Sequence, residues 1–262
     1  MLFAIDLDGV IYRENQPISG SQKTIEILRK KGNIVVFITN NATLSREGYV
    51  KKLIKLGFPT KKEEIMCAAY ATAMYLAENN GKNKKAYVVG ENGLIEELKN
   101  SGLKIIKTSR TETKIDYVVV GLDRKFNFLK LLIASDAIRN GAEFIASNTD
   151  STWPGKNGKI YPGGGSIVRA IEEASGIKPK TIGKPEPYML NKILEYFNIK
   201  PEKTLVIGDR IETDILFGKN AGAKTALVLT GITTKKMVEN LPKNLKPDYI
   251  FNNINEVLSV LN

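Results

Sequence analysis

The sequence predicts an α/β fold built on a parallel sheet, with a second α/β unit inserted into it, and three observations carry that expectation. Short apolar runs of strand length alternate with stretches of helical periodicity, as in Met1–Ile5, Ser21–Lys31 and Ile34–Ile38, a βαβ order. Two such runs far apart in the chain end in carboxylates: Met1–Ile5 leads into Asp6-Leu7-Asp8-Gly9-Val10, and Thr204–Gly208 leads into Asp209 and Asp214. Finally, linker-like stretches at 79–83 and 177–180 bracket a segment in which the strand and helix pattern starts again.

The first run reads as a buried strand, and Asp6 and Asp8 stand at its carboxyl end, where open α/β sheets place their ligands. Side chains two apart share a face until the chain turns at Gly9. Two like charges buried that close need a cation or a shared proton, so the pair points to a hard cation such as Mg2+. A solvated strand-to-turn junction is the other reading. Val10 to Gly20 reads as a polar loop, and Ser21–Lys31 as a helix with Ile25 and Leu28 on one face, stopped by Gly32. Ile34–Ile38 is the next strand and ends in Thr39-Asn40-Asn41, at the same sheet edge as Asp6. A hydroxyl, an amide and backbone N–H groups there suit phosphate oxygens, and they also suit a capped loop. Ser45–Leu56 reads as a helix ended by Gly57-Phe58-Pro59, Thr60–Ala69 fits either a helix start or a short strand, and Ala71–Glu78 is helical.

In the inserted segment, strands are expected at Ala86–Val89, Leu103–Ile106, Tyr117–Gly121 and Glu143–Ala146, and helices at Leu94–Lys99 and Phe128–Arg139. Its loops hold Asp123-Arg124 and the stretch Asn148 to Pro154, which contains the only tryptophan, Trp153. A tryptophan among polar residues either contacts a ligand or braces its own loop. Pro162-Gly163-Gly164-Gly165-Ser166 runs into an apolar helix but lacks the Lys-Ser/Thr of a phosphate-binding P-loop, so Ser166 is expected as its N-cap. Lys184 lies in the loop before a helix over Tyr188–Phe197, a place from which an ammonium can reach a bound phosphate, although taken alone it is one lysine among many. Further strands fall at Thr225–Leu229 and Tyr249–Phe251, and helices near Lys235–Asn240 and Asn255–Leu261.

Composition narrows the function. Hydrophobic residues make up 42% and charged residues 26% of the 262, which supports a folded core and excludes wholesale disorder. The single cysteine, Cys67, cannot form an internal disulfide, and Asp6 interrupts the amino-terminal apolar run before it reaches signal-peptide length. No later run approaches a membrane span, so a cytoplasmic protein with no membrane partner is expected. The net charge of +11 raises nucleic acid as a partner, but the lysines are scattered without interleaved aromatics, so a solvated surface and no nucleic acid are expected. There is no histidine, which excludes the usual His/Cys zinc site and leaves acid–base chemistry to a carboxylate, Lys, Tyr or Cys67.

Taken in order, Asp6 with Asp8, Thr39 with Asn40, Lys184, and Asp209 with Asp214 resemble the four motifs of the haloacid-dehalogenase-like (HAD) phosphohydrolase superfamily. Gly121-Leu122-Asp123-Arg124, Ile145 to Asp150 and Gly183-Lys184-Pro185 resemble its subfamily of NagD, para-nitrophenylphosphatase, phosphoglycolate phosphatase and chronophin. The resemblance implies a Rossmann-like parallel-sheet core, the HAD fold, over residues 1–80 and 181–262, with a C2-type α/β cap domain at 81–180. It implies a Mg2+-dependent phosphatase of small phosphomonoesters, with Asp6 as nucleophile of an aspartyl-phosphate intermediate and Asp8 as acid–base residue. Mg2+ falls to Asp6, the backbone carbonyl of Asp8 and Asp209, with Asp214 orienting a metal water, and the phosphoryl oxygens fall to Thr39, Asn40 and Lys184. In the cap, Leu122, Asp123 and Trp153 are the positions expected to set specificity. The implied partner is a small phosphorylated metabolite, and a homodimer paired through exposed cap faces is compatible with the sequence. A phosphomutase and a non-catalytic phosphometabolite-binding protein on the same fold are the alternatives.

Overall fold

Every residue of the strand Leu2–Asp6 is buried, and a strand covered on both faces belongs in the middle of a sheet. A computed structural model, which describes residues 1–107, 114–154 and 159–261, places it inside a six-stranded sheet. The order is Tyr249–Phe251, Lys224–Val228, Thr204–Gly208, Leu2–Asp6, Ile34–Thr39, Ile65–Cys67, and the pairings from the first of these to Ile34–Thr39 are parallel. To one side of Leu2–Asp6 lies the next long strand in sequence, and to the other a strand from the last third of the chain. Strand order therefore reverses between Leu2–Asp6 and Thr204–Gly208. At such a switch point the connections leave in opposite directions and open a crevice at the carboxyl ends.

The chain forms two compact units, one of residues 1–39, 49–66 and 184–262 and one of residues 40–48 and 67–183. The second unit thus takes in 40–48 and 67–80 besides the inserted segment. Helix Ala68–Glu78 packs on helix Asn92–Asn100, Gly93 N donates to Thr43 O at 3.1 Å, and Arg46 N donates to Glu97 Oε1 at 2.6 Å. Residues 79–83, read as a linker, make a turn that uses positive φ at Asn80 and Asn83. Five parallel strands form the second sheet, in the order Lys180–Thr181, Glu143–Ala146, Tyr117–Val120, Lys85–Val89, Lys104–Ile106. Ile133 and Ile138 of helix Phe128–Arg139, and Ile167, Val168 and Ile171 of helix Gly164–Ser175, complete its core against Val89, Val118, Val120 and Phe144.

Three local expectations change. Val10, Ile11 and Tyr12 are fully buried, so the stretch after Gly9 is a packed turn leading into the hairpin Tyr12–Arg13/Gln16–Pro17 rather than a polar loop. The ambiguous stretch after Thr60 resolves into a single 3-10 turn at Lys62–Glu64 followed by the strand Ile65–Cys67. Ser166 is not the helix N-cap: the helix begins at Gly164 with Gly163 as its cap, and the Ser166 hydroxyl donates to Ser151 O at 3.0 Å. The reason is close approach, since Gly165 N donates to Asp150 O at 2.9 Å and a Cβ on Gly165 would overlap the backbone of Thr149. Among the described residues no helix is long and apolar enough to cross a membrane.

Gly165→Ala is accordingly expected to destabilise the protein by about 1–3 kcal/mol, as overpacking against fixed backbone does. Urea denaturation followed by circular dichroism measures it, and an unchanged midpoint would mean that the helix start can retreat from Thr149.

Candidate active site

Asp6 and Asp209 leave neighbouring strands almost side by side, because the parallel register pairs Ile5 with Ile207. A π-helical turn at Ile211–Ile215 then folds Asp214 back, so that Asp209 N and Arg210 N donate to its Oδ2 at 3.2 and 3.1 Å. The surrounding glycines make room for these carboxylates. A Cβ on Gly208 would overlap Asp214, and one on Gly231 would overlap Asp209. Asp209 Oδ2 accepts a hydrogen bond from Ile232 N at 2.8 Å. Lys184 closes the cluster, with Nζ at 2.6 Å from Asp6 Oδ1 and at 2.6 Å from Asp214 Oδ1. All four side chains are buried.

Burial sets the electrostatics. It raises the Asp6 carboxyl well above the usual aspartate range, and Asp214 and Asp209 add to the shift against the opposing charge of Lys184. Asp209 is pushed up to about 6, chiefly by burial and then by Asp214. Lys184 is raised as well: burial disfavours its charge, but Asp214 and Asp6 outweigh burial and hold the ammonium protonated. Oxygens of Asp6, Asp209 and Asp214 all lie within 4.8 Å of one another. One buried ammonium cannot balance three buried carboxylates, and an all-oxygen donor set suits a hard divalent cation. These residues therefore fit a metal of that kind.

The remaining predicted residues are distributed over both units. Asp8 is half-buried in the first unit; burial raises its pKa, against Lys52 and a hydrogen bond from Tyr12. Thr39, buried, is one residue beyond Ile38, the register partner of Asp6. Asn40 is buried in the second unit, where its amide donates to Asp150 Oδ1 at 3.1 Å and its carbonyl accepts from Asn148 Nδ2 at 2.6 Å. Leu122 is half-buried, while Asp123 is buried, accepts from Lys125 N at 2.9 Å and pairs with Lys130. Trp153 lies on the strand Thr152–Pro154, and its ring stacks on Tyr161 at 4.8 Å. Tyr12 and Lys52, neither of them singled out by a motif, adjoin Asp8. The available signal was the apolar run Val10-Ile11-Tyr12 directly after the Asp pair, too apolar for a solvated loop.

Two family models match the chain, one described as haloacid dehalogenase-like hydrolase over residues 3–104 and one as HAD-hydrolase-like over residues 181–257. Phosphoglycolate phosphatase 1A, chloroplastic, of Arabidopsis thaliana is 37% identical over 98% of this chain and 76% of its own length. The acid sugar phosphatase of Staphylococcus aureus (strain USA300) is 37% identical over 99% of this chain and 97% of its own. The chain belongs to the haloacid dehalogenase-like hydrolase family. Solved structures of this HAD family agree. The p-nitrophenyl phosphatase from Archaeoglobus fulgidus superposes with a TM-score of 0.90 at 35% identity, covering 99% of this chain and 98% of that one. NagD from E. coli K-12 gives 0.85 at 32% identity, with 97% and 96% covered. Glycerol phosphate phosphatase Rv1692 from Mycobacterium tuberculosis, in complex with magnesium, gives 0.89 at 31% identity, with 98% and 75% covered. The fold is thus the HAD fold, a Rossmann-like parallel-sheet core with an inserted α/β cap.

The raised carboxyls make stability depend on pH. An unfolded aspartate ionises near 3.8, whereas folded Asp209 keeps its proton up to about 6, so the folded state binds more protons between these values. Stability without metal therefore falls as pH rises through that window. In a chelator, the melting temperature is expected to be lower at about pH 7.5 than at about pH 5, and a divalent cation should raise it mainly at the higher pH. Asp209→Asn should remove most of that response to the cation. Calorimetry tests this, and pH-independent melting in the chelator would contradict the assigned burial of charge.

Proposed function

We propose that this HAD hydrolase is a Mg2+-dependent phosphatase of small phosphomonoesters that works through an aspartyl-phosphate on Asp6. The chain is a phosphoric monoester hydrolase. In this reading the unit with residues 1–39, 49–66 and 184–262 is the catalytic core and the other is the cap that selects substrate. The observation that carries the mechanism is the buried cluster of Asp6, Asp209, Asp214 and Lys184 at the switch point of the sheet. Support for the substrate class comes from the relatives, named for phosphoglycolate, sugar, nitrophenyl and glycerol phosphates. Support for magnesium comes from the all-carboxylate donor set and from the magnesium complex of one relative.

The residues divide the reaction between them. A carboxylate oxygen of Asp6 attacks phosphorus and forms the acyl-phosphate, while Asp8 passes its proton to the departing alcohol oxygen. Asp8, now ionised, takes a proton from water as that water attacks phosphorus, which releases inorganic phosphate and restores both aspartates. This assignment suits a chain without histidine. Lys184, Thr39 and Asn40 bind the phosphoryl oxygens as charge spreads over them. Asp6, Asp209 and the Asp8 carbonyl would hold the metal, with Asp214 orienting a water on it, and when bound the ion would offset the negative charge of carboxylates and phosphate. Leu122, Asp123 and Trp153 are assigned to substrate selection, where the exposed Trp153–Tyr161 stack supplies a flat apolar surface.

Phosphate release from nitrophenyl phosphate, phosphoglycolate, nucleoside monophosphates and sugar phosphates, with Mg2+ or a chelator, tests this reading. Turnover is expected only with metal, to vanish in Asp6→Asn, and to fall about 10²–10⁴-fold in Asp8→Asn. Failure of the folded, Mg2+-loaded protein to hydrolyse any of them would overturn it.

A further inference from the structure

The turn after Asp6 is wound more tightly than its length requires. The amides of Val10, Ile11 and Tyr12 all point at the Leu7 carbonyl, at 3.3, 3.1 and 3.4 Å, and Gly9 N donates to Tyr12 O at 2.8 Å. Gly9 turns with φ of +84°, and a Cβ there would come within 2.9 Å of Asp209 Oδ2, so no other residue fits without displacement. From outside, Thr230 Oγ1 donates to Gly9 O at 2.6 Å, and Arg13 Nε donates to Thr230 O at 2.9 Å. The coil returns Tyr12 to the residue four before it. The Tyr12 hydroxyl donates to Asp8 Oδ2 at 3.2 Å, its ring is fully buried, and the Lys52 ammonium stands 4.0 Å from the ring centroid.

We propose that Tyr12, held by Lys52, is a positioning residue for Asp8 that leaves Oδ1 as the oxygen through which Asp8 exchanges its proton. This rests on the reading of Asp8 as the acid–base residue. A rotatable carboxyl presents its proton from either oxygen and in several directions. With Oδ2 engaged as acceptor of the Tyr12 hydroxyl, the acidic proton resides on Oδ1, and the χ angles of Asp8 are restricted by a partner that cannot itself move. Tyr12 is held by its own packing and by the cation on its face. Protonating a leaving group is a directional task, so in the first phosphoryl transfer, the step that kcat/KM reads, a fixed carboxyl lowers the barrier only when the leaving group needs a proton; hydrolysis of the acyl-phosphate is common to all substrates.

That condition supplies the test. An alkyl phosphate departs as an alkoxide and needs the proton, whereas nitrophenolate leaves without it. In Mg2+, Tyr12→Phe is expected to lower kcat/KM for glycerol phosphate by about tenfold. For nitrophenyl phosphate it should change by less than about twofold, and in an Asp8→Asn background the tyrosine change should cost nothing further. Lys52→Met, at a partly exposed position, keeps the proposal testable should Tyr12→Phe fold poorly, with the same selectivity and a loss of about threefold. Equal losses on both substrates, or no loss on either, would overturn the positioning role while leaving the phosphatase reading intact. Wild-type protein that turns over neither substrate would instead sink that reading and this proposal with it.

Discussion

Lys184 makes two short charge-assisted hydrogen bonds, to Asp6 and to Asp214, from a position with almost no access to water. A lysine in that setting stays charged only because carboxylates face it, and the carboxylates are tolerated in part because it faces them. The interaction joins the end of the first strand, the segment before helix Tyr188–Phe197 and the turn after Thr204–Gly208. These pieces are far apart in the chain, so breaking either bond would leave an uncompensated buried charge as well as loosen the sheet edge. With three carboxylates against one ammonium the balance is still negative. The cluster is consequently a place whose folded form is favoured by adding positive charge, which is also a phosphatase's requirement.

Space at this sheet edge is as tightly set as charge. Gly9, Gly208 and Gly231 each stand where a methyl group would strike Asp209 or Asp214, so backbone and carboxylates approach to contact. Ile232 N and the amides of Asp209 and Arg210 then orient the carboxylates through hydrogen bonds that need no side-chain ordering. Tyr12 extends the same logic to Asp8, with the hydroxyl of a buried ring replacing a backbone amide as the donor. Positioning here comes from rigid backbone and packed rings, which lose little entropy when a substrate is ordered.

The second unit uses its polar residues differently. Asp123 is spent on its own loop, on Lys125 N and Lys130, and Asn148 and Asp150 are bonded to Asn40. Trp153 and Tyr161 stack on paired strands, with both rings partly open to water. Of the three cap positions singled out for specificity, Trp153 has the most exposed apolar surface, whereas Asp123 already has local partners that explain its burial.

Residue pattern alone was enough for the strands with continuous apolar runs, their helical partners and the carboxylates that end two of them. Leu2–Asp6, Thr204–Gly208 and Tyr188–Phe197 were legible because their local apolar pattern encodes burial directly, whereas Phe128–Arg139 was legible as a helix although Phe128, Leu129 and Leu132 are exposed. Lys184 was visible only as one lysine among many until the family motifs were taken together, since nothing local distinguishes a buried ammonium. Tertiary structure alone decided which elements belong to which compact unit. Helix Ala68–Glu78 goes with the second because of what it packs against, not because of its composition. It also decided that Ser166 does not cap its helix, that Val10 to Tyr12 are core, and that Tyr12 reaches Asp8. Each of these depends on how closely segments distant in the chain approach, a quantity that a linear pattern of residue types does not contain.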